Sequence, residues 1–472
     1  MENNNKNWFI LVAIGLFTFM SALDSSIINI ALPTIAKQLH IPMNEATWSV
    51  SIYLIVISGL LIFFGRLGDI FGKIKIFRIG TLVFTVGSLL AGFGFGIYFL
   101  LFARFVQAVG AAMTTSNSLG ITTESFPPKL RARALSFLGV FASLGAVTGP
   151  GLGGLILQFL PWSYIFWINV PIGIFAMLMG EKLFPKNPPA KATLAIDYFG
   201  TAVFFLTIIS LFLGIEIGQI KGFSNSLVLA LISLSFVLLA LFIWQERRIA
   251  TPLIHLNIFK NQLFTISLIA ACLIYMTNFF ANIIMPFYLQ NFLGWSPGLA
   301  GLLLMSFPIT MLIVSPIGGF LGDKFDKEKV TAIGITIVVI AQLGYTLLGY
   351  HATFLTVAIV TVLNATGSTL FQASNSALVM EEVDKKYLGI AGSINALARN
   401  IGMISGITLA SIVLFMSISH QADKHVNDYL PSHPEYFLNA MRLAFYISTA
   451  LAFVTLITVA WRLVKSLKTK IA

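Results

Sequence analysis

The sequence predicts an all-α integral membrane protein with fourteen transmembrane helices, organised as two six-helix bundles plus two intervening helices. Three observations lead there. The 472 residues are 57% hydrophobic and only 10% charged, with a mean hydropathy of +0.90, whereas water-soluble chains carry about 25% charged residues. Apolar runs able to cross a bilayer as a helix, which takes about 20 residues at 1.5 Å each, recur along the whole chain. One loop sequence occurs twice at a constant offset, so the chain is a duplicated unit.

Taken in order, the apolar runs lie at about 8–32, 47–65, 77–96, 98–121, 135–158, 163–181, 197–217, 226–245, 263–288, 298–320, 330–350, 353–377, 389–417 and 437–462. An even number of spans places both termini on one side of the membrane. If that side is the cytoplasm, 23 of the 29 Lys and Arg residues fall in or beside cytoplasmic loops, while the outer loops hold only Lys37, Lys221 and Lys424. So uneven a distribution predicts a multi-pass plasma (inner) membrane protein with cytoplasmic termini. It also explains the net charge of +11 as a topological bias, which removes nucleic acid as a partner. Trp8, Trp48, Trp162, Trp244, Trp295 and Trp461 fall near span ends, as an aromatic belt requires. The polar, weakly basic start lacks a small-residue cleavage site, so an uncleaved first span is expected rather than a signal peptide.

The repeated loop reads Gly65-Arg-Leu-Gly-Asp-Ile-Phe-Gly-Lys-Ile-Lys75 after the second span and Gly319-Phe-Leu-Gly-Asp-Lys-Phe-Asp-Lys-Glu-Lys329 after the tenth. Eight spans separate the copies rather than six. Each half therefore has six helices, and an extra pair at about 197–245 lies between them. The expected division is an N-terminal bundle over 1–190, the extra helices and their linkers over 191–255, and a C-terminal bundle over 256–472. Apart from Glu216 and Gln219 the extra pair is nearly free of polar side chains, which suits lipid-facing helices.

The first span carries a charge where none is expected. Asp24 stands in an otherwise uncharged run from Trp8 to Leu32, where a carboxylate costs a few kcal/mol or more, on the order of insertion-scale values. It is expected to face the bundle interior or a wet cavity and to be protonatable. Two readings follow: a proton site facing a substrate cavity, or a structural carboxylate capped by Ser25 and Ser26. Ser21, three residues back, should lie close to it, whereas Asn29, five residues on, need not share its face.

Other chemistry is sparse. The single cysteine, Cys272, excludes an intramolecular disulfide and offers no metal framework. The outer loop at about 419–436 holds His420, His425 and His433 with three acids, a composition ordinary for a solvated loop, and no metal is expected. A Gly-x4-Gly-Lys-Ser/Thr phosphate loop is missing, so no cofactor is expected and the drive must come from an ion gradient or from diffusion.

Four motifs carry a resemblance. The Gly65 to Lys75 loop, with Gly65, Gly68, Asp69, Gly72 and Lys73, resembles the signature between the second and third helices of the major facilitator superfamily. Physically, Gly65 and Gly68 permit a tight turn and close helix approach, and Asp69 can hold a helix N-terminus or an arginine. Ile70 stands where the family usually has a basic residue. Span 4 contains Arg104-Phe-Val-Gln107-Ala-Val-Gly110, which resembles the family's Arg-x-x-Gln-Gly-x-Gly motif with Ala108 replacing the first Gly. Span 5 contains Gly145-Ala-Val-Thr-Gly149-Pro150-Gly-Leu-Gly153-Gly154, similar to the antiporter motif of the family's drug:proton exchangers. Its glycines recur every fourth residue and make a groove for a neighbouring helix, and Pro150 permits a kink. Leu23 to Pro33 resembles the first-helix motif of the fourteen-span drug:proton antiporter branch.

The resemblance implies a major facilitator fold and a secondary active transporter exporting lipophilic, monocationic or neutral amphiphilic drugs in exchange for protons, with antibiotic resistance as the phenotype. Asp24, Arg104, Asn29 and Gln107 become the proton-coupling and substrate residues. Arg104, otherwise readable as a snorkelling anchor, becomes the partner that holds the Asp24 carboxylate in one conformation and releases it in another. The cytoplasmic gating loop comprises Gly65, Gly68, Asp69, Gly72 and Lys73 with Arg131 and Asp323. The expected partners are amphiphilic small molecules, protons and membrane lipids, and the expected state is a monomer with no enzyme activity. Rival readings on the same fold are a proton-coupled lipid or metabolite exporter and an uptake symporter.

Overall fold

In the computed structural model, residues 2–41, 43–184, 197–249, 252–254, 256–423 and 430–471 are described. The helices are α1 (Glu2–Leu39), α2 (Met43–Phe71), α3 (Lys73–Ala91), α4 (Ile97–Ser125), α5 (Arg131–Phe159), α6 (Tyr164–Trp167), α7 (Asn169–Leu183), α8 (Tyr198–Lys221), α9 (Ser226–Glu246), α10 (Gln262–Phe287), α11 (Pro297–Leu304), α12 (Ser306–Lys324), α13 (Lys327–Thr346), α14 (Phe354–Glu381), α15 (Leu388–Ala422) and α16 (Pro434–Ile471). Among the described residues, fourteen stretches are long and apolar enough to cross a membrane. Each of them overlaps one of the fourteen runs read from hydropathy. Two of these stretches are each built from two helices in sequence, α6 with α7 and α11 with α12.

Local chemistry explains where helices start. Gly72 adopts φ 97° and ψ 124° between α2 and α3, and Gly96 adopts φ 101° before α4, a region that side-chain-bearing residues avoid. Asp197, Asn225, Ser296 and Asp326 stand just before α8, α9, α11 and α13 and accept hydrogen bonds from backbone N–H groups of the first turns. The expectation of a tight turn at Gly65 and Gly68 is corrected here. α2 runs through both, and the chain turns only at Gly72, the one glycine of the loop with a positive φ.

The chain forms two compact units, residues 1–261 with 380–397, and residues 262–379 with 398–472. In the first unit α1 packs on α5 and α7, α2 and α3 pack on α4, and the intervening pair α8 and α9 packs together with α8 against α2. Its core includes Ile27, Ile28, Ala31, Ala103, Ile165 and Phe166. α9 leaves Leu229, Phe236 and Val237 exposed, which fits a helix facing lipid. α8 is tied inward, because Ser51 of α2 donates to Glu216 at 2.8 Å. In the second unit α10 and α13 pack on α16, around Phe280, Ile284, Tyr288, Leu414, Phe437 and Phe445.

Candidate functional site

Asp24 lies in the interior of the first unit with 0% of its surface exposed. Its Oδ2 accepts from Arg104 Nη1 at 2.6 Å, and its Oδ1 accepts from Gln107 Nε2 at 2.8 Å and from Asn169 Nδ2 at 3.0 Å. Arg104, 1% exposed, makes two further bonds within the same node: Nε donates to the Ser49 carbonyl at 2.8 Å and Nη1 to Gln107 Oε1 at 2.5 Å. Its guanidinium stands 4.3 Å from the Tyr53 ring centroid and 5.8 Å from that of Phe166. Gln107 Nε2 also donates to Ser88 Oγ at 2.8 Å. α4 and α7 thus bond the carboxylate directly, and α2 and α3 reach it through Arg104 and Gln107.

Helix packing sets this convergence. Gly87 of α3 has no side chain, and a Cβ there would meet Gln107 N at 2.5 Å and Gln107 Cα at 2.7 Å, so α3 and α4 touch backbone to backbone and bring Ser88 within reach of Gln107. On the other side of α1, the span 5 glycines do what their spacing predicts. A Cβ on Gly145 would meet Phe19 O and lie 2.8 Å from Leu23 N, one on Gly149 would meet Ser26 Oγ, and one on Gly153 would lie 2.8 Å from Ile27 Cγ1. Ser26 Oγ donates to Gly145 O at 3.2 Å. The glycine motif therefore fixes the position of α1, and with it Asp24, and α5 continues as helix through position 150. Gly154 has open space where its Cβ would be and takes no part in this seam.

Of the residues proposed for coupling, the structure brings Asp24, Arg104 and Gln107 together and leaves Asn29 out. Asn29 is exposed, because five residues at 100° per residue carry it to another side of α1. A second expectation also changes. Asp24 has no exposed surface: three donors, one of them the Arg104 guanidinium, hold it in the bundle interior. Nor do the neighbouring serines cap it, since Ser25 Oγ bonds Ser21 O and Ser26 Oγ bonds Leu23 O. Ser21 instead pairs with Tyr53 Oη at 3.3 Å.

Sequence reading missed Asn169, Ser49, Ser88 and Tyr53. Asn169 had a signal: it is the one strongly polar side chain between Ser163 and the Glu181 that ends the apolar run. The helix breaks between α6 and α7 immediately before it.

The loop motif forms a second cluster. Asp69 accepts from the backbone N–H groups of Gly389 at 3.0 Å and Ile390 at 3.1 Å, so it holds the N-terminus of α15. Lys73 bridges Asp69 at 2.8 Å and Glu124 at 3.0 Å. A Cβ on Gly68 would collide with Asn117 Oδ1, and one on Gly65 with Ser393 Oγ, so these glycines serve close approach. Arg131 stays apart, its Nε donating to Phe126 O at 3.4 Å. Asp323 lies half-buried at the end of α12 in the second unit.

The second unit holds its own buried networks. Asn278 accepts from Asn364 and Ser368, Gln342 donates to Asn364, and Ser448 donates to Gln342. Gln342 is the repeat counterpart of Ser88 by the offset of the loop motif. This network contains no charge. Nearer the end of the unit, Arg462 pairs with Glu328 at 2.6 Å and donates to Ser267 and Asn375. In the outer loop, His433 Nδ1 lies 3.0 Å from Glu435 Oε1, both exposed; His425 and Asp428 lie outside the described residues.

The sequence profile of the Major Facilitator Superfamily matches residues 14–254 and 267–471. The chain belongs to that superfamily. Superfamily relatives over most of its length include the riboflavin transporter RibZ of Clostridioides difficile (strain 630), 30% identical and covering 96% of both chains. The multidrug resistance protein Stp of Mycobacterium tuberculosis is 27% identical over 91% of this chain and 80% of its own. The multidrug export protein EmrB of Escherichia coli is 30% identical over 67% of this chain and 62% of its own. The solved structure of the human organic anion transporter MFSD10 (TETRAN) superposes with a TM-score of 0.62 over 97% of this chain and 98% of that one at 13% identity, a likeness of fold. As a member of the superfamily, this protein is a multi-pass membrane transporter of small molecules.

Proposed function

We propose that the protein exports lipophilic, monocationic or neutral amphiphilic molecules in exchange for protons, with Asp24 as the proton-binding group and Arg104, Gln107 and Asn169 as the groups that convert its protonation into a conformational change. The observation that carries this reading is the ion pair itself, two opposite charges 2.6 Å apart and sealed inside an apolar bundle. Removing one partner of such a pair costs about 3–5 kcal/mol, because the other charge is left buried and alone. A proton on Asp24 has the same effect as removing that charge. It leaves the Arg104 charge among neutral groups, Ser49 O, Gln107 Oε1 and the Tyr53 and Phe166 rings, and another arrangement of the helices has to relieve the imbalance. Proton entry down the gradient supplies about 2.3 kcal/mol per charge per 100 mV, comparable with the strain it creates.

Because Asp24 has no exposed surface, substrate and proton do not compete for its oxygen atoms in this arrangement. The coupling proposed is through helix position, with the Gly145, Gly149 and Gly153 seam and the Asp69 cap on α15 as the packing that must shift. The span 5 motif and the relatives Stp and EmrB support export of drugs. The charge distribution supports cytoplasmic termini in the plasma membrane, and the proton gradient serves in place of a cofactor. A second reading rests on RibZ, the relative matched over 96% of both chains: a planar heteroaromatic metabolite such as a flavin, carried by the same machinery.

The test is proton release from energised inverted vesicles challenged with dyes, quaternary amines, fluoroquinolones and riboflavin, for wild type beside Asp24→Asn. Export coupled to protons predicts that wild type dissipates the pH gradient on addition of substrate and that the variant does not. Equal responses from the two proteins overturn the role of Asp24. A response to riboflavin alone selects the second reading.

A further inference from the structure

Two carboxyl groups meet at the foot of the intervening helix pair. Asp197 caps α8, its Oδ1 accepting from Gly200 N–H at 2.7 Å. Glu246 ends α9, and its Oε2 accepts from Ile254 N–H at 2.8 Å, which ties down the segment 252–254 leading away from that helix. The two side chains are 5% and 4% exposed. Their remaining oxygens, Asp197 Oδ2 and Glu246 Oε1, are buried and have no hydrogen-bond donor among the described residues. Both lie within 2.8 Å of the position a Cβ on Gly200 would take. They therefore face one common point, which only glycine at position 200 leaves empty.

Two bare carboxylates do not suit this arrangement. At 4 Å separation their repulsion is about 4 kcal/mol at an effective dielectric of 20, and each buried acceptor left without a donor costs about 1–3 kcal/mol more. One proton removes both penalties, because the carboxyl that carries it becomes the donor its neighbour lacks. The backbone N–H groups on the outer oxygens stabilise the single negative charge that remains. We propose that Asp197 and Glu246 hold one proton between them, forming a proton-binding site on the intervening helix pair, separate from Asp24.

The surrounding charges agree with a net charge of minus one. Arg247 and Arg248 follow Glu246 but are exposed, and Arg248 lies over the Trp244 ring at 4.2 Å. The segment 252–254 contributes backbone donors and no charged side chain. On α2, which packs along α8, the contacts of Ser51 with Glu216 and of Gly59 with Phe205 set an antiparallel register that puts Arg66 level with the start of α8. Arg66 is 4% exposed, and no ion pair joins it to either carboxyl among the described residues. Loss of the shared proton sets like charges against each other where α8, α9 and the following segment are tied together.

The experiment uses the full chain in lipid nanodiscs, with Asp197→Asn and Glu246→Gln as neutral isosteres. Asn caps a helix as well as Asp does, and either amide N–H can replace the shared proton. The folded wild type holds a proton that the unfolded chain releases at neutral pH, so its stability falls as pH rises. The expected result is that wild-type Tm drops from neutral to alkaline pH together with loss of the infrared C=O band of a protonated carboxyl. Both variants lack that band and hold a flat Tm over the same range, while Asp24→Asn retains band and drop. The site is overturned if Asp197→Asn and Glu246→Gln keep the wild-type band and pH dependence. It is equally overturned if sodium, magnesium or calcium chloride raises the wild-type Tm at fixed pH and not that of the variants, which would make the pair a metal-cation site.

Discussion

Asn169 donates to Asp24 at 3.0 Å, yet its own side-chain carbonyl oxygen is buried without a donor among the described residues. An unprotonated Asp24 has only acceptors to offer, so nothing in this state satisfies that oxygen. A protonated Asp24 carries an O–H and needs an acceptor. Asn169 is placed to serve both forms, as a donor to the carboxylate and as an acceptor for the acid. Asn169→Ala should therefore leave a folded protein with proton-coupled transport reduced at least about tenfold, given about 1.5–3 kcal/mol for a hydrogen bond to a charged group. Initial transport rates against an imposed pH gradient in proteoliposomes measure it, and a wild-type rate would show that Asn169 has no part in coupling.

Arg104 is engaged through two different nitrogens, Nε toward Ser49 O and Nη1 toward Asp24 and Gln107. Lysine presents a single point charge and cannot reproduce that fork. Arg104→Lys is expected to abolish coupling while lowering stability modestly. Arg104→Gln leaves Asp24 as a lone buried charge and should lose about 3–5 kcal/mol, with Asp24→Asn in the same chain recovering most of the stability and none of the transport. Thermal unfolding of the two single variants and the double variant forms a cycle that reads the pair energy directly.

The span 5 glycines differ in what surrounds them. A methyl group on Gly149 would meet Ser26 Oγ, and one on Gly145 would meet α1 backbone. Overpacking of this kind costs about 1–3 kcal/mol, so Gly145→Ala and Gly149→Ala should both lower Tm and slow transport. Gly154→Ala meets nothing within 4 Å and should match wild type in a thermal-shift assay, although all these glycines belong to one motif.

Gly72 and Asp69 separate backbone conformation from charge in the loop between α2 and α3. Gly72→Ala forces a side chain into a backbone with φ 97°, a strain of about 1–2 kcal/mol, and should appear as reduced stability of the purified protein. Asp69→Asn keeps an acceptor of similar shape but weakens both the cap on α15 and the bridge to Lys73. Transport rates should fall more than Tm does, and the reverse order would mark Asp69 as purely structural.

Much of this was legible in the sequence. The span count needs only hydropathy and length, and the duplicated loop located the extra pair. Asp24 stood out as a charge in hydrocarbon, and Arg104 and Gln107 through the span 4 motif. Asn29, grouped with the site by the resemblance, lies on another side of α1, as its five-residue spacing from Asp24 allows. Arg462, at the end of the last span, is buried in an ion pair with Glu328. Residues near a span end can point either toward head groups or into the bundle, and their order along the chain does not say which.

The sequence by itself determined how many spans there are, roughly where each lies and which one carries an isolated acid. Tertiary structure alone decided that Asp24 turns inward to α4 and α7, that Asn169 joins it, and that Asp197 meets Glu246 across the intervening pair. The physical reason lies in the solvent. In water an apolar stripe reveals which face of a helix is buried, but lipid is as apolar as a protein interior. The contrast that would identify the inner face vanishes, and only the packing of neighbouring helices restores it.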